Sequence, residues 1–293
     1  MTGAAPRALT PAVPRVAPLR LAGGALVALL LGLTAWAVLA YALSHAGGHD
    51  MDAYWNAALR LRGGDPLYVA GDPTDSALYR YAPWFAFAWV PLTLLPEEVV
   101  RGAWTLTLVV ASVASVAPLL NRATPAALGA AALLLPVQLE GAVFGNVQPL
   151  LVLVLVWGVE RRSGPLWIAL AASLKAAPIA LMLVYLGRGE YRRAAWALGL
   201  AALLVAPMLL FDLRGYSTDS GPGQMSLLAI SPPLFVAAAA LAAWAGLRFA
   251  GTRYAWLAGS AAVLAWLPRL LTYEIGFLLV ALARRRRTVS PVR

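Results

Sequence analysis

The chain contains no cysteine, which excludes a disulfide framework, a thiolate metal site and a cysteine nucleophile. Charge is scarce too. Only 12% of the 293 residues are Asp, Glu, Lys or Arg, against about 25% in an ordinary soluble domain. There is no Walker motif, no Gly-rich dinucleotide fingerprint and no HExxH, so the nucleotide and zinc chemistries those motifs carry have no vehicle here.

What the chain does have is apolar surface. Hydrophobic residues make up 61% of it and the mean hydropathy is +0.74, more than a soluble core can hide. At about 20 residues per spanning helix the length allows roughly ten spans with short connections. The expected fold is therefore all-α: a polytopic transmembrane bundle forming a single membrane domain over 1–293. The net charge of +10 does not point to nucleic acid, because the arginines sit in short connections between apolar runs, where they report topology.

Residues 21–43 form an uncharged stretch after Arg7, Arg15 and Arg20, too long for a signal-peptide core and read as an outward-running first span. Residues 1–20 are then cytoplasmic, and the acid-rich stretch 44–82 is an outer loop. Further apolar runs cover 83–96, 102–120, 124–139, 149–159, 164–174, 177–186, 194–211, 227–247, 254–267 and 270–283. Several are too short to span. Two threadings fit: one treats 83–96 and 164–186 as full spans, the other makes 83–96 re-entrant and 164–186 a hairpin bent near Lys175. The second is preferred because the first puts Arg122, Arg161 and Arg162 outside. Both termini and the basic tail 284–293 then lie in the cytoplasm of a multi-pass cell-membrane protein. Helices of ten or eleven residues reach only about 16 Å, roughly half the hydrocarbon core. They must border a cavity, expected to open to the outer face.

Few polar residues remain to carry chemistry. Asp50 and Asp52 follow the first span almost at once, and 56–62 continues as an interfacial helix. A carboxylate there can serve as general base toward a hydroxyl; the alternative is a hydrated acid that only keeps the loop outside. Asp65, Asp72 and Asp75 lie among Gly and Pro and read as turn residues. Gly145-Asn146-Val147-Gln148, preceded by Glu140, is either an outward turn whose amides meet sugar hydroxyls or a plain interhelical turn. Lys175 lies at membrane depth, where an ammonium costs at least about 2.5–3.5 kcal/mol. With Pro178 in the first turn of the next helix, it stands just before a helix N-terminus, an anion site. Pro268-Arg269 repeats that arrangement: a helix is expected to begin at Arg269, with Tyr273 on its face at i+4 and Glu274 about one turn in. For Arg269 the alternative is a headgroup anchor; for Glu274, an internal ion pair. Tyr81 and Trp84 can stack on a sugar ring or belong to the aromatic belt. With no energy-coupling motif, any transferred group must arrive activated, a condition that a polyprenyl-linked donor meets.

The order of motifs resembles the membrane glycosyltransferases of family 87, polyprenyl-phosphate-mannose-dependent enzymes of the GT-C fold. It runs through Asp50 and Tyr54, Ala57-Ala58, Gly64-Asp65-Pro66-Leu67-Tyr68, Tyr81-Ala82-Pro83, Pro91, Pro96, the 145–148 turn, Leu174-Lys175 with Pro178, and Pro268 to Glu274. The resemblance implies inverting transfer of a sugar, usually mannose, from a lipid phosphate to a lipid or glycan acceptor outside. It implies Asp50 as base with Asp52 as rival, Lys175 and Arg269 on the donor phosphate, and Asn146, Gln148 and Glu274 around the sugar, where Tyr81 and Tyr273 are further candidates from their positions. No metal, cofactor or nucleic acid is implied. This sequence departs in carrying Gly-Asn-x-Gln where the family more often has Gly-Gln-x-Asn, and Glu274 where an Asp is common. A transporter or lipid flippase would also use intramembrane charges, and an inactive membrane scaffold would keep the fold alone.

Overall fold

Gly48 opens helix α1 (His49–Gly63) in a left-handed conformation, φ 98°, and Gly64 closes it in another, φ 79°, its N–H reaching the carbonyls of Arg60 and Leu61. Asp50 and Asp52 fall in the first turn and Arg60 and Arg62 in the last, the charge order that the helix dipole favours. This computed structural model describes Leu29, Leu33, Trp36 and residues 48–283 other than 73, 74, 76, 123 and 217–226. Of the predicted first span only those three residues fall within it, and 1–20 and 284–293 lie outside the described residues.

All regular structure among the described residues is helical. Helix α2 (Pro83–Trp89) runs into a 3-10 segment, Val90–Leu94, and the pair lies along α1. Phe85 packs 4.9 Å from the Tyr54 ring, and Arg62 Nη1 donates to the Thr93 carbonyl at 3.0 Å. Helix α3 (Glu97–Leu120) then starts back at the first turn of α1, where Arg101 reaches Asp52. The chain therefore runs along α1 from Tyr54 toward Arg62 over 83–94 and comes back to its first turn with α3.

Helix α4 (Pro125–Val143) follows, capped by Thr124, whose hydroxyl accepts from the Ala127 N–H, with Pro125 at its first position. By length and composition α3, α4 and the run Tyr191–Leu210 are apolar enough to cross a membrane. The next two helices, α5 (Gln148–Gly158) and α6 (Gly164–Leu174), have eleven residues each. Lys175 then turns extended, φ −137° and ψ 115°, and Pro178 sits in the first turn of the 3-10 segment Ala177–Leu181 that leads into α7 (Met182–Gly187). The Tyr185 hydroxyl donates to the Val159 carbonyl, and Arg193 donates to the carbonyls of Val159 at 3.2 Å and Arg161 at 2.7 Å. The two ends of 164–186 therefore meet, and the segment is a hairpin with Lys175 at its bend.

Helix α8 (Tyr191–Val205) packs on α6 through the small residues Ala169, Ala172 and Ala201, which let helix backbones approach closely. The remaining elements are α9 (Leu227–Ile230), α10 (Pro232–Arg248), α11 (Ala255–Trp266), a 3-10 segment Thr272–Leu278 and α12 (Leu279–Leu282). Two expectations are corrected here. The apolar run 227–247 breaks at Ser231, which is extended because it precedes Pro232 and which caps α10 by accepting from the Leu234 N–H. The last helix begins at Thr272, not at Arg269: the Glu274 carboxylate reaches back 3.0 Å to the Leu271 N–H and fixes the start there. Arg269 and Tyr273 consequently share no helix face.

The connections carrying Arg122, Arg161 and Arg188 lie at helix ends away from Asp50, whereas those carrying Arg80 and Arg269 lie near it. Arg122 donates to the Leu282 carbonyl at 2.6 Å and Arg188 to that of Ala250 at 2.8 Å. Trp256 donates to Glu160 at 2.8 Å, beside the Arg193 contacts.

Candidate active site

Two glycines bring the site together. Gly145, φ 71°, lies so close to α1 that a Cβ there would stand 2.9 Å from the Gly48 Cα. The first turn of α1 is thereby pressed on the turn between α4 and α5, and the Asp50 N–H donates to the Phe144 carbonyl at 3.0 Å. Asn146, 2% exposed, uses all of its amide locally. Its Nδ2 donates to Asp50 Oδ2 at 2.7 Å and lies 3.2 Å from the Tyr273 hydroxyl, while its Oδ1 accepts from the Gln148 N–H at 2.9 Å.

The Asp50 carboxyl is held above its ordinary pKa by burial, opposed by the Asn146 hydrogen bond and by the charges of Lys175, Arg269 and Arg80. This is a carboxyl near cations, kept partly dry. Asp52 has a different situation: Arg101 Nη2 donates to it at 2.7 Å and also to Glu97, with His49 at 3.9 Å. Two residues along a helix are about 200° of rotation, so the acids face apart. The structure brings Asp50 to the cluster and leaves Asp52 in an ion triad beside it.

Lys175 Nζ pairs with Glu274 Oε1 at 3.1 Å and lies 4.7 Å from the Tyr273 ring centroid. Glu274 is 4% exposed, so this is a buried pair whose acid also caps the 272–278 segment. Tyr81 stands 3.2 Å, hydroxyl to hydroxyl, from Tyr54, whose oxygen accepts from the Val147 N–H at the same distance. Gln148 is fully buried and neither polar atom of its amide has a protein partner; Arg269 Nε is likewise buried without one. Such groups are costly unless something polar meets them. Trp84, a stacking candidate in the sequence, spends its indole N–H on Ser173 at 3.1 Å.

Sequence reasoning passed over Arg101, Trp104 and Arg80. Glu97 and Arg101 at i, i+4 were the available sign of a charge cluster, but nothing local indicated that Trp104 would donate to the Gly145 carbonyl at 2.8 Å.

A family model, glycosyltransferase family 87, matches residues 79–293. No curated protein and no solved structure matches the chain. The chain belongs to glycosyltransferase family 87.

Proposed function

We propose that this family 87 glycosyltransferase transfers a sugar, mannose, from a polyprenyl-phosphate donor to a lipid or glycan acceptor on the outer side of the cell membrane, with inversion. The observation that carries the reading is the Asp50 carboxylate held on Asn146 among Lys175, Arg269 and Arg80. Asp50 takes the proton of an acceptor hydroxyl as that oxygen attacks the anomeric carbon from the face opposite the lipid phosphate. The bond from anomeric carbon to phosphate oxygen breaks, and the electron pair leaves with the phosphate. Arg269 and Lys175 meet its charge in a site of low dielectric, where fixed cations act most strongly. Gln148, Asn146, Tyr81, Tyr273 and Glu274 line the sugar, the unpartnered Gln148 amide offering both a donor and an acceptor. Asp52 serves Arg101. The scheme uses no divalent cation.

An apolar cavity of about 230 Å³ supports a lipid donor: Leu267 and Leu270 line it on either side of Pro268-Arg269, with Leu227, Ile230, Phe235 and Leu264 completing it. A phosphate on Arg269 would have its hydrocarbon tail beside it. The connections carrying Arg122, Arg161 and Arg188 support an orientation with their end cytoplasmic and Asp50 outward, in a GT-C-like bundle of about ten spans with both termini inside.

The test is transfer of labelled mannose from polyprenyl-phosphate-mannose by purified protein in liposomes. Transfer with inverted configuration supports the reading. Its absence from wild type, with other lipid-phosphate sugars also inert, rejects it in favour of a transporter or a scaffold.

A further inference from the structure

Asp50 depends for its place on a turn with little of its own to fix it. α1 begins on Gly48, which supplies no side-chain cap. On the opposite side of that turn Arg101 holds Asp52 at 2.7 Å and reaches Glu97 one turn earlier on α3. Its guanidinium also lies against Gly48, where a Cβ would stand 3.0 Å from Nη1. Three residues further along α3, Trp104 holds the Gly145 carbonyl. One stretch of α3 therefore grips both segments that meet as Asp50 and Asn146. The Arg101 and Asp52 side chains are only 23% and 32% exposed, so the pair is better sheltered than a surface ion pair.

We propose that Arg101 is a positioning residue: by gripping Asp52 it sets the rotation of the first turn of α1 and so keeps the Asp50 carboxylate on the Asn146 amide. The inference rests on Asp50 being the base, but its geometry can be read without turnover. Asp50 faces Asn146 and Tyr273, with Lys175, Arg269, Arg80, Tyr81 and Glu274 around it; Arg101, Asp52, Glu97 and the His49 imidazole are the titratable groups behind it.

A hydrophobic carbodiimide adds to a protonated carboxyl, so the pH midpoint of Asp50 labelling, read by mass spectrometry on the full chain in liposomes, reports its protonation. Asp50→Asn is the blank. Asp52→Ala removes a negative charge, which by itself lowers the midpoint; release of the Asn146 hydrogen bond raises it. The proposal expects a rise of about one pH unit in Asp52→Ala, a larger rise in Arg101→Gln, where loss of the cation adds to it, partial return in Arg101→Lys, and a fall in kcat with the donor KM unchanged. A midpoint that falls or stays in folded Asp52→Ala overturns it. The labelling decides the matter even if wild type transfers no mannose, so failure of the proposed reaction and failure of the brace are told apart. Should Arg101→Gln not fold, the midpoint in Asp52→Ala is decisive by itself.

Discussion

Asn146 Nδ2 lies 2.7 Å from Asp50 Oδ2 and 3.2 Å from the Tyr273 hydroxyl, so one amide joins the first turn of α1, the α4–α5 turn and the 272–278 segment. Replacing it with alanine removes a hydrogen bond to a charged group, about 1.5–3 kcal/mol. Transfer is expected to fall roughly 10- to 100-fold. The acid limb of the pH–rate profile should move up, because the proposed base must be ionised to work and the Asn146 bond is the first of the contacts, ahead of Lys175, Arg269 and Arg80, that hold the Asp50 pKa down against burial. A limb that stays in place contradicts the assignment.

The raised Asp50 pKa also has a sign for stability. A carboxyl whose folded pKa lies above its unfolded value contributes stability that is full below the unfolded pKa and lost as pH rises through the folded one. At neutral pH, well above the unfolded pKa, the raised folded pKa of Asp50 therefore costs the fold. Asp50→Asn should melt higher than wild type at pH 7, with the gain vanishing near pH 3; a lower melting temperature at pH 7 counts against this account.

Lys175 and Glu274 form a buried pair, so removing either partner alone leaves a stranded charge and costs about 3–5 kcal/mol. Lys175→Met should destabilise by that order, and Lys175→Met with Glu274→Gln should recover most of the loss in thermal unfolding while remaining unable to transfer sugar. Additive losses in the double variant would show that the two are not coupled.

Legibility in the sequence followed how local each cause was. The bend at Lys175 could be read because an ammonium, an apolar run and Pro178 lie within a few residues. The start of the last helix could not, since it depends on which backbone N–H the Glu274 carboxylate reaches. The family resemblance implied Asp50 ahead of Asp52, but which acid would meet Asn146 could not be read from the residues themselves, since it turns on the rotation of α1 against Arg101, 49 residues away from Asp52. The unpartnered Gln148 amide sits within the 145–148 turn motif, yet only the folded chain displays its burial.

Gly145→Ala is expected to cost about 1–3 kcal/mol, since a left-handed residue with a Cβ is strained and that Cβ would meet Gly48 at 2.9 Å. It should lower both the melting temperature and transfer. A variant as stable as wild type would mean the two turns are not pressed together.

In the cavity beside Arg269, Leu264→Trp fills apolar space without touching the charged cluster. The donor KM is expected to rise severalfold for long-chain polyprenyl phosphates and to stay near wild type for a short-chain analogue. An equal change for both would remove the cavity from donor binding.

The central claim is that Asp50, and not Asp52, accepts the proton. The direct measurement compares initial rates of mannose transfer in liposomes for wild type, Asp50→Asn and Asp52→Asn, each confirmed folded. A lost general base lowers the rate by about 10²–10⁴, so Asp50→Asn should fall within or below that range. Asp52→Asn, which can still accept from Arg101, should stay within about tenfold of wild type. Full activity in Asp50→Asn, or the larger loss in Asp52→Asn, would contradict the account.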